Sequence, residues 1–303
     1  MGRATRPKPK SFLLLALGVV CTVMIILTGL SPKELLHRMG FAYLELRKHV
    51  NDWKAGEQLF SQPCWNVKSL DWTQFLDEVL HREDIYSQFD VTDYTADMQG
   101  WAELDNSFTF YMKQWLERYP NAIEPVRIIE VGSFKGRSTI TMGEICKKLA
   151  FTRQCSILAV DTWTGSAEFY ETAYFGGQEQ LAANGGILHL FETFLRNVKK
   201  AGVDDVITPL RLPSLSAAHV LHCLGLDADF VFIDADHEYE AVKRDLSLYY
   251  QLLRPGGYIF GDDWRVYWPG VQKAVLEFVA TNNLTLLDNS NLDPTTWVVL
   301  RPA

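Results

Sequence analysis

Residues 229–263, DFVFIDADHEYEAVKRDLSLYYQLLRPGGYIFGDD, decide how this chain folds. Asp229–Ile233 is a short apolar run that stops at Asp234, and Tyr258–Phe260 is a second that stops at Gly261-Asp262-Asp263. Between them lie a helical stretch, Tyr239–Leu248, and the turn Arg254-Pro255-Gly256-Gly257. Strands that are apolar throughout and are joined by helices pair in parallel, with both faces of the sheet covered. In such sheets ligands gather at the carboxyl ends of the strands, which is where these aspartates stand.

The same alternation extends in both directions. Upstream, Val126–Val131 ends at Gly132, and a helix follows with Met142, Ile145, Cys146 and Leu149 on one face. Ser156–Val160 ends in Asp161, and a helix bearing Leu188, Phe191, Leu195 and Val198 leads to a weaker strand, Val206–Leu210. Downstream, Val271, Ala274, Val275, Phe278 and Val279 share a helical face, followed by closing strands near Thr285–Leu287 and Trp297–Leu300. The expectation is an α/β, Rossmann-like, mostly parallel seven-stranded sheet with helices on both faces and a closing antiparallel strand pair. It occupies residues 91–303. Phe108, Tyr111, Met112, Trp115 and Leu116, at helical spacing, predict an amphipathic helix that serves as core or cap.

The N-terminal part is different. Ser11–Leu30 is a run of 20 uncharged residues, about 30 Å as a helix, which matches the hydrocarbon thickness of a bilayer. It exceeds the apolar stretch of a cleavable signal, so it reads as an uncleaved signal anchor behind a short basic tail, residues 1–10. Arg3, Arg6, Lys8 and Lys10 precede it, which predicts a cytosolic N-terminus and a lumenal or extracytoplasmic body, in the endoplasmic reticulum or Golgi. Residues 31–90 read as a helical stem.

Those four bases sit on a chain of net charge −8, so the remainder is more acidic still. An acidic body is a poor match for polyphosphate, which excludes nucleic acid as the expected partner; a homo-oligomer is left open. Of the five cysteines, Cys21 lies in the anchor, and Cys64, Cys146, Cys155 and Cys223 allow three disulfide pairings. Asn283-Leu284-Thr285 is a glycosylation sequon, usable only by a lumenal body.

Three features carry chemistry. Glu130-Val131-Gly132-Ser133-Phe134-Lys135-Gly136-Arg137-Ser138 joins the first strand to its helix. Its glycines let the backbone approach a ligand, but the middle glycine of a pyrophosphate-binding fingerprint is missing. Asp161, ending the second strand, suits the hydroxyls of a ribose; a turn cap is the plainer alternative. Asp234, Asp262 and Asp263 share one rim of the sheet, and converging carboxylates call for a divalent cation, with oxygen ligands favouring Mg²⁺. His237, near a helix start beside them, suits a general base.

EVGSFKGRST, VDTW, FIDADHEYEAVKRDL and LRPGGYIFGDDW, in this order and spacing, resemble the class I S-adenosylmethionine-dependent methyltransferases. More narrowly, they are similar to the metal-dependent group that includes macrolide-sugar O-methyltransferases and cephalosporin-biosynthesis relatives. The resemblance implies metal ligands Asp234, Asp262 and Asp263, with His237 as the catalytic base; relatives often carry Glu where this chain has Asp262. It implies that Glu130 and Gly132 face the methionine part of the cofactor, Asp161 the ribose and Ser214 the adenine. Ser133, Gly136, Trp163 and Asp234 complete the cofactor set, and Met98-Gln99-Gly100-Trp101 resembles a segment closing over it. The function implied is Mg-dependent O-methylation of a diol-containing small molecule or glycan. The rivals are a hydroxylase-like enzyme on the same scaffold and a catalytically silent S-adenosylmethionine-binding protein.

Overall fold

A computed structural model describes residues 64, 68–120, 124–150, 154–170, 183–184 and 187–303. The apolar runs become six strands: β1 Val126–Val131, β2 Cys155–Asp161, β3 Ile207–Arg211, β4 Ala228–Ile233, β5 Leu253–Gly261 and β6 Trp297–Leu300. They lie in the order β3-β2-β1-β4-β5-β6. The first five are parallel, and β6 runs antiparallel to β5 with Tyr258 opposite Leu300. Among the described residues the longer helices that accompany them are α1 Asp105–Arg118, α2 Arg137–Leu149, α3 Leu190–Ala201, α4 Ser214–Leu224, α5 Tyr239–Leu252 and α6 Pro269–Thr281. A two-residue ladder, Ala183–Asn184 with Ile187–Leu188, stands apart, so Leu188 precedes α3 instead of lying on it.

The sheet has six strands among the described residues, one fewer than expected. Around Thr285–Leu287 a single bridge forms, Leu286 with Val299. Beyond that bridge the chain is held elsewhere. Asn289 Nδ2 donates to Ser107 Oγ and to the carbonyls of Asp293 and Thr296, while Asp293 accepts from the Ser107 amide at the start of α1. No helix of the described residues is long and apolar enough to cross a membrane. The anchor expected at Ser11–Leu30 and most of the stem lie outside the described residues.

The expected amphipathic face of α1 is core. Phe108 packs its ring against Phe230 and Phe260, and Trp115 lies against Phe230. Burying each such ring contributes about 2–3 kcal/mol. The chain bonds into this domain well before residue 91: Trp72 Nε1 donates to Asp227 O and Tyr86 Oη to Ile207 O. Of the three possible cysteine pairings, the one formed is Cys64–Cys223 with Cys146–Cys155.

Strand order reverses between β1 and β4, since β1 has β2 on one side and β4 on the other. Chain connections leave the sheet in opposite directions at such a point and open a crevice at the strand ends. Here those ends are Gly132 and Asp234. A Cβ built on Gly132, which has φ +91°, would lie 2.0 Å from the Asp234 carbonyl oxygen, so only glycine closes this rim.

Candidate active site at the switch point

The crevice holds a cavity of about 340 Å³, lined by the loops after β1, β2, β3 and β4. Of the residues expected to bind cofactor, Gly132, Ser133, Asp161, Trp163, Ser214 and Asp234 line it, as does His237. Glu130 and Gly136 do not. Glu130 is fully buried beneath the loop, where its carboxylate accepts from Ser133 Oγ, Ser138 Oγ and Thr139 Oγ1. Burial pushes its pKa up to about 7, against the pull of those hydroxyls. It braces the loop from below and faces no ligand. Gly136, φ +92°, begins α2, and a Cβ there would come within 3.0 Å of the Phe194 ring.

Asp161 is committed to the same loop. Its Oδ2 accepts from the amides of Ser133 and Phe134, both at 2.9 Å, and its Oδ1 from the Trp163 amide at 2.6 Å. With two acceptor positions per oxygen, one remains, on Oδ1. That position is open to a ribose hydroxyl, while the bond from the Trp163 amide caps the turn. Trp163 has φ +51° and an indole packed between Phe191 and Phe194. Its Nε1 donates to the Phe134 carbonyl, a further tie on the loop. Ser214 donates to Asp245 Oδ1 at 2.7 Å, on the wall formed after β3.

Of the segment Met98–Trp101 expected to close over the site, Gln99, Gly100 and Trp101 line the cavity and Met98 does not. Arg137 Nη1 donates to Gly100 O, and the Trp101 ring stacks with Phe134 and Phe169. What fastens this segment was not foreseen from sequence. Asn197, fully buried on α3, donates to the carbonyls of Asp97 and Lys135 and accepts from the Asp97 amide and Tyr94 Oη. Lys135, only 2% exposed, places Nζ 2.6 Å from Asp97 Oδ2 and 3.3 Å from Gln99 Oε1. Asparagine on an otherwise apolar helix face was the available signal.

At the strand ends, Asp234, His237 and Asp263 bring one ligand atom each to within 4.8 Å of one another. Asp263 reaches the group through a left-handed backbone, φ +62°, uncommon for a residue with a side chain and frequent at functional sites. Its Oδ2 lies 2.8 Å from His237 Nε2, and the imidazole stacks on Trp268 with centroids 4.0 Å apart. Trp268 was not singled out from sequence. Asp262 is not in the group. Asp262 is 3% exposed, with Oδ1 lacking a hydrogen-bond partner. Of the three aspartates expected to hold a metal, the geometry groups Asp234 and Asp263 with His237, while Asp262 is buried next to them.

The rim is overloaded with negative charge. Burial, then the charges of Asp262 and Asp263, raise Asp234 well above the usual carboxylate range. Burial and Asp263 push Asp262 up to about 6. Carboxylates crowded beside one imidazole fit a divalent cation, which would offset their mutual repulsion. Asp234 and Asp263 are the carboxylates placed to hold it, with the His237 imidazole beside them.

Residues 129–264 match the family model for a methyltransferase domain. The uncharacterized protein R132 of Acanthamoeba polyphaga mimivirus is 29% identical over 169 residues, covering 54% of this chain and 65% of that protein. This chain thus spans a little under two thirds of that relative's length. Among solved structures, the O-methyltransferase NovP is similar at 19% identity and TM-score 0.46, over 75% of this chain and all of that one. CalS11, a TDP-rhamnose 3′-O-methyltransferase of calicheamicin biosynthesis, is similar at 18% identity and TM-score 0.43, over 65% of this chain and 77% of that one. The stretch similar to a methyltransferase domain thus runs from β1 to just past the rim aspartates.

Proposed function

We propose that this chain is a metal-dependent O-methyltransferase that uses S-adenosylmethionine to methylate one hydroxyl of a diol-containing acceptor, a sugar or glycan. The observation that carries the reading is the convergence of Asp234, His237 and Asp263 on the rim of the cavity behind the glycine loop. A divalent cation bound there would lower the pKa of an acceptor hydroxyl. The chain's own residues do the rest. His237 is placed to take the hydroxyl proton, Asp263 fixes its ring through Nε2, and Trp268 holds its plane. Trp101, Phe134 and Phe169 shield the cavity from water on the loop side.

A lumenal, membrane-anchored placement belongs to the same proposal. It is supported by the uncharged run Ser11–Leu30 and by two disulfides, which persist in oxidising compartments.

The test is purified residues 62–303 with methyl-labelled S-adenosylmethionine and a panel of sugars and catechols, with Mg²⁺ or with excess EDTA. Label on an acceptor oxygen, lost in EDTA and restored by Mg²⁺, is the expected result. Full transfer in EDTA removes the cation from the account. A product that gains the mass of oxygen instead of a methyl group favours the hydroxylase-like rival, and cofactor binding without any product favours the silent one.

A further inference from the structure

We propose that Asn283 carries an N-linked glycan in the mature protein. The sequon Asn283-Leu284-Thr285 lies just past the end of α6, and both Asn283 and Thr285 are exposed. Asn283 is in the left-handed region, φ +52°. The Leu284 amide bonds back to Val279 O at 2.9 Å and the Asn283 amide to Ala280 O at 3.3 Å, closing the helix end. Beyond the sequon, Leu286 bridges Val299 at the sheet edge. The backbone is therefore fixed on both sides of a turn whose acceptor amide and hydroxyl face water, as a bulky attached oligosaccharide requires.

The position is also compatible with the active site. A Cβ built on Gly270, at the start of α6, would lie 2.5 Å from the His237 carbonyl, so this end of the helix abuts the catalytic rim. The 13 residues of α6 carry the chain about 20 Å away before the sequon is reached. A glycan at Asn283 projects from the opposite end of the sheet and leaves the rim open. The modification would join Asn283 Nδ2 to the anomeric carbon of an oligosaccharide donated by a lipid diphosphate. The carbon–oxygen bond to the diphosphate breaks, and the amide proton leaves to base. The donor and its transferase act only on lumenal chains, so this inference rests on the lumenal placement proposed above.

Asparagine also suits the left-handed cap position by itself, so the decisive variants leave it in place. The full chain is expressed in eukaryotic secretory cells and digested with a peptide N-glycosidase. One discrete mobility shift is expected, with Asn283 converted to Asp in the released peptide. Thr285→Ala should abolish the shift and Thr285→Ser should retain it. An unshifted wild-type chain overturns the proposal. Alkylation of denatured, unreduced protein then separates the two failures. If Cys64, Cys146, Cys155 and Cys223 are protected, the sequon alone fails; if they react, the lumenal placement fails with it.

Discussion

Two side chains at the rim make opposite demands on their surroundings. His237 is held by Asp263 on one edge and Trp268 on its face, so its ring is oriented before any acceptor arrives. His237→Ala should lower kcat by about 10²–10⁴-fold, the usual contribution of a positioned base. S-adenosylmethionine affinity, read by calorimetry, should change less than a few-fold. Equal losses in both would mark His237 as structural. Glu130 is the reverse case, a carboxyl with no access to ligand. Its folded pKa, about 7, lies above its ordinary value of 4.5, so the folded state binds its proton more tightly. Its contribution to stability is complete below the ordinary value and is lost as pH rises through the folded one. Melts of wild type against Glu130→Gln should therefore diverge between those two pH values. The wild type should lose on the order of 3 kcal/mol relative to the variant.

At the scale of elements, the site depends on how α3 ties two loops together. Asn197 makes four hydrogen bonds that fasten the segment before Gln99 to the glycine loop. Asn197→Leu keeps the volume roughly but strands buried donors and acceptors, each worth about 1–3 kcal/mol when left unpaired. A loss of about 3 kcal/mol in denaturant midpoint analysis is expected. S-adenosylmethionine binding should weaken at least about tenfold, since the loop that ends at Trp101 loses its clamp. Unchanged affinity in a destabilised but folded variant would show that the clamp serves the fold alone.

For the whole molecule, the Cys64–Cys223 bond is the long-range fastening, joining residues 159 apart in sequence. It ties Cys64 to the end of α4, beside the backbone bond from Leu70 N to Leu224 O. Closing so long a loop restrains the unfolded chain strongly, and its removal typically costs about 2–5 kcal/mol. The Cys64→Ser, Cys223→Ser double variant should melt well below wild type. The Cys146–Cys155 bond spans 9 residues, so its removal should have the smaller entropic effect on the unfolded chain. Reversal of that order in thermal melts would show that native-state contacts outweigh loop entropy here.

Sequence alone determined the parallel sheet, because Val126–Val131, Ser156–Val160 and Asp229–Ile233 are mostly apolar without strict alternation, and a sheet covered on both faces buries such runs. It also placed Gly132, Asp161, Asp234 and Asp263 at one rim, since strand ends carry the polar residues of such folds. Three matters waited for the tertiary structure. Whether Thr285–Leu287 pairs as a strand depended on Asn289 and Asp293 finding partners on α1, a contact almost two hundred residues away in sequence. Whether Glu130 and Asp161 face a ligand or the loop depended on which hydroxyls and amides surround them. Which carboxylates gather at the rim was decided by one left-handed residue, Asp263, because strand periodicity sends adjacent side chains to opposite faces and only a local turn can undo it.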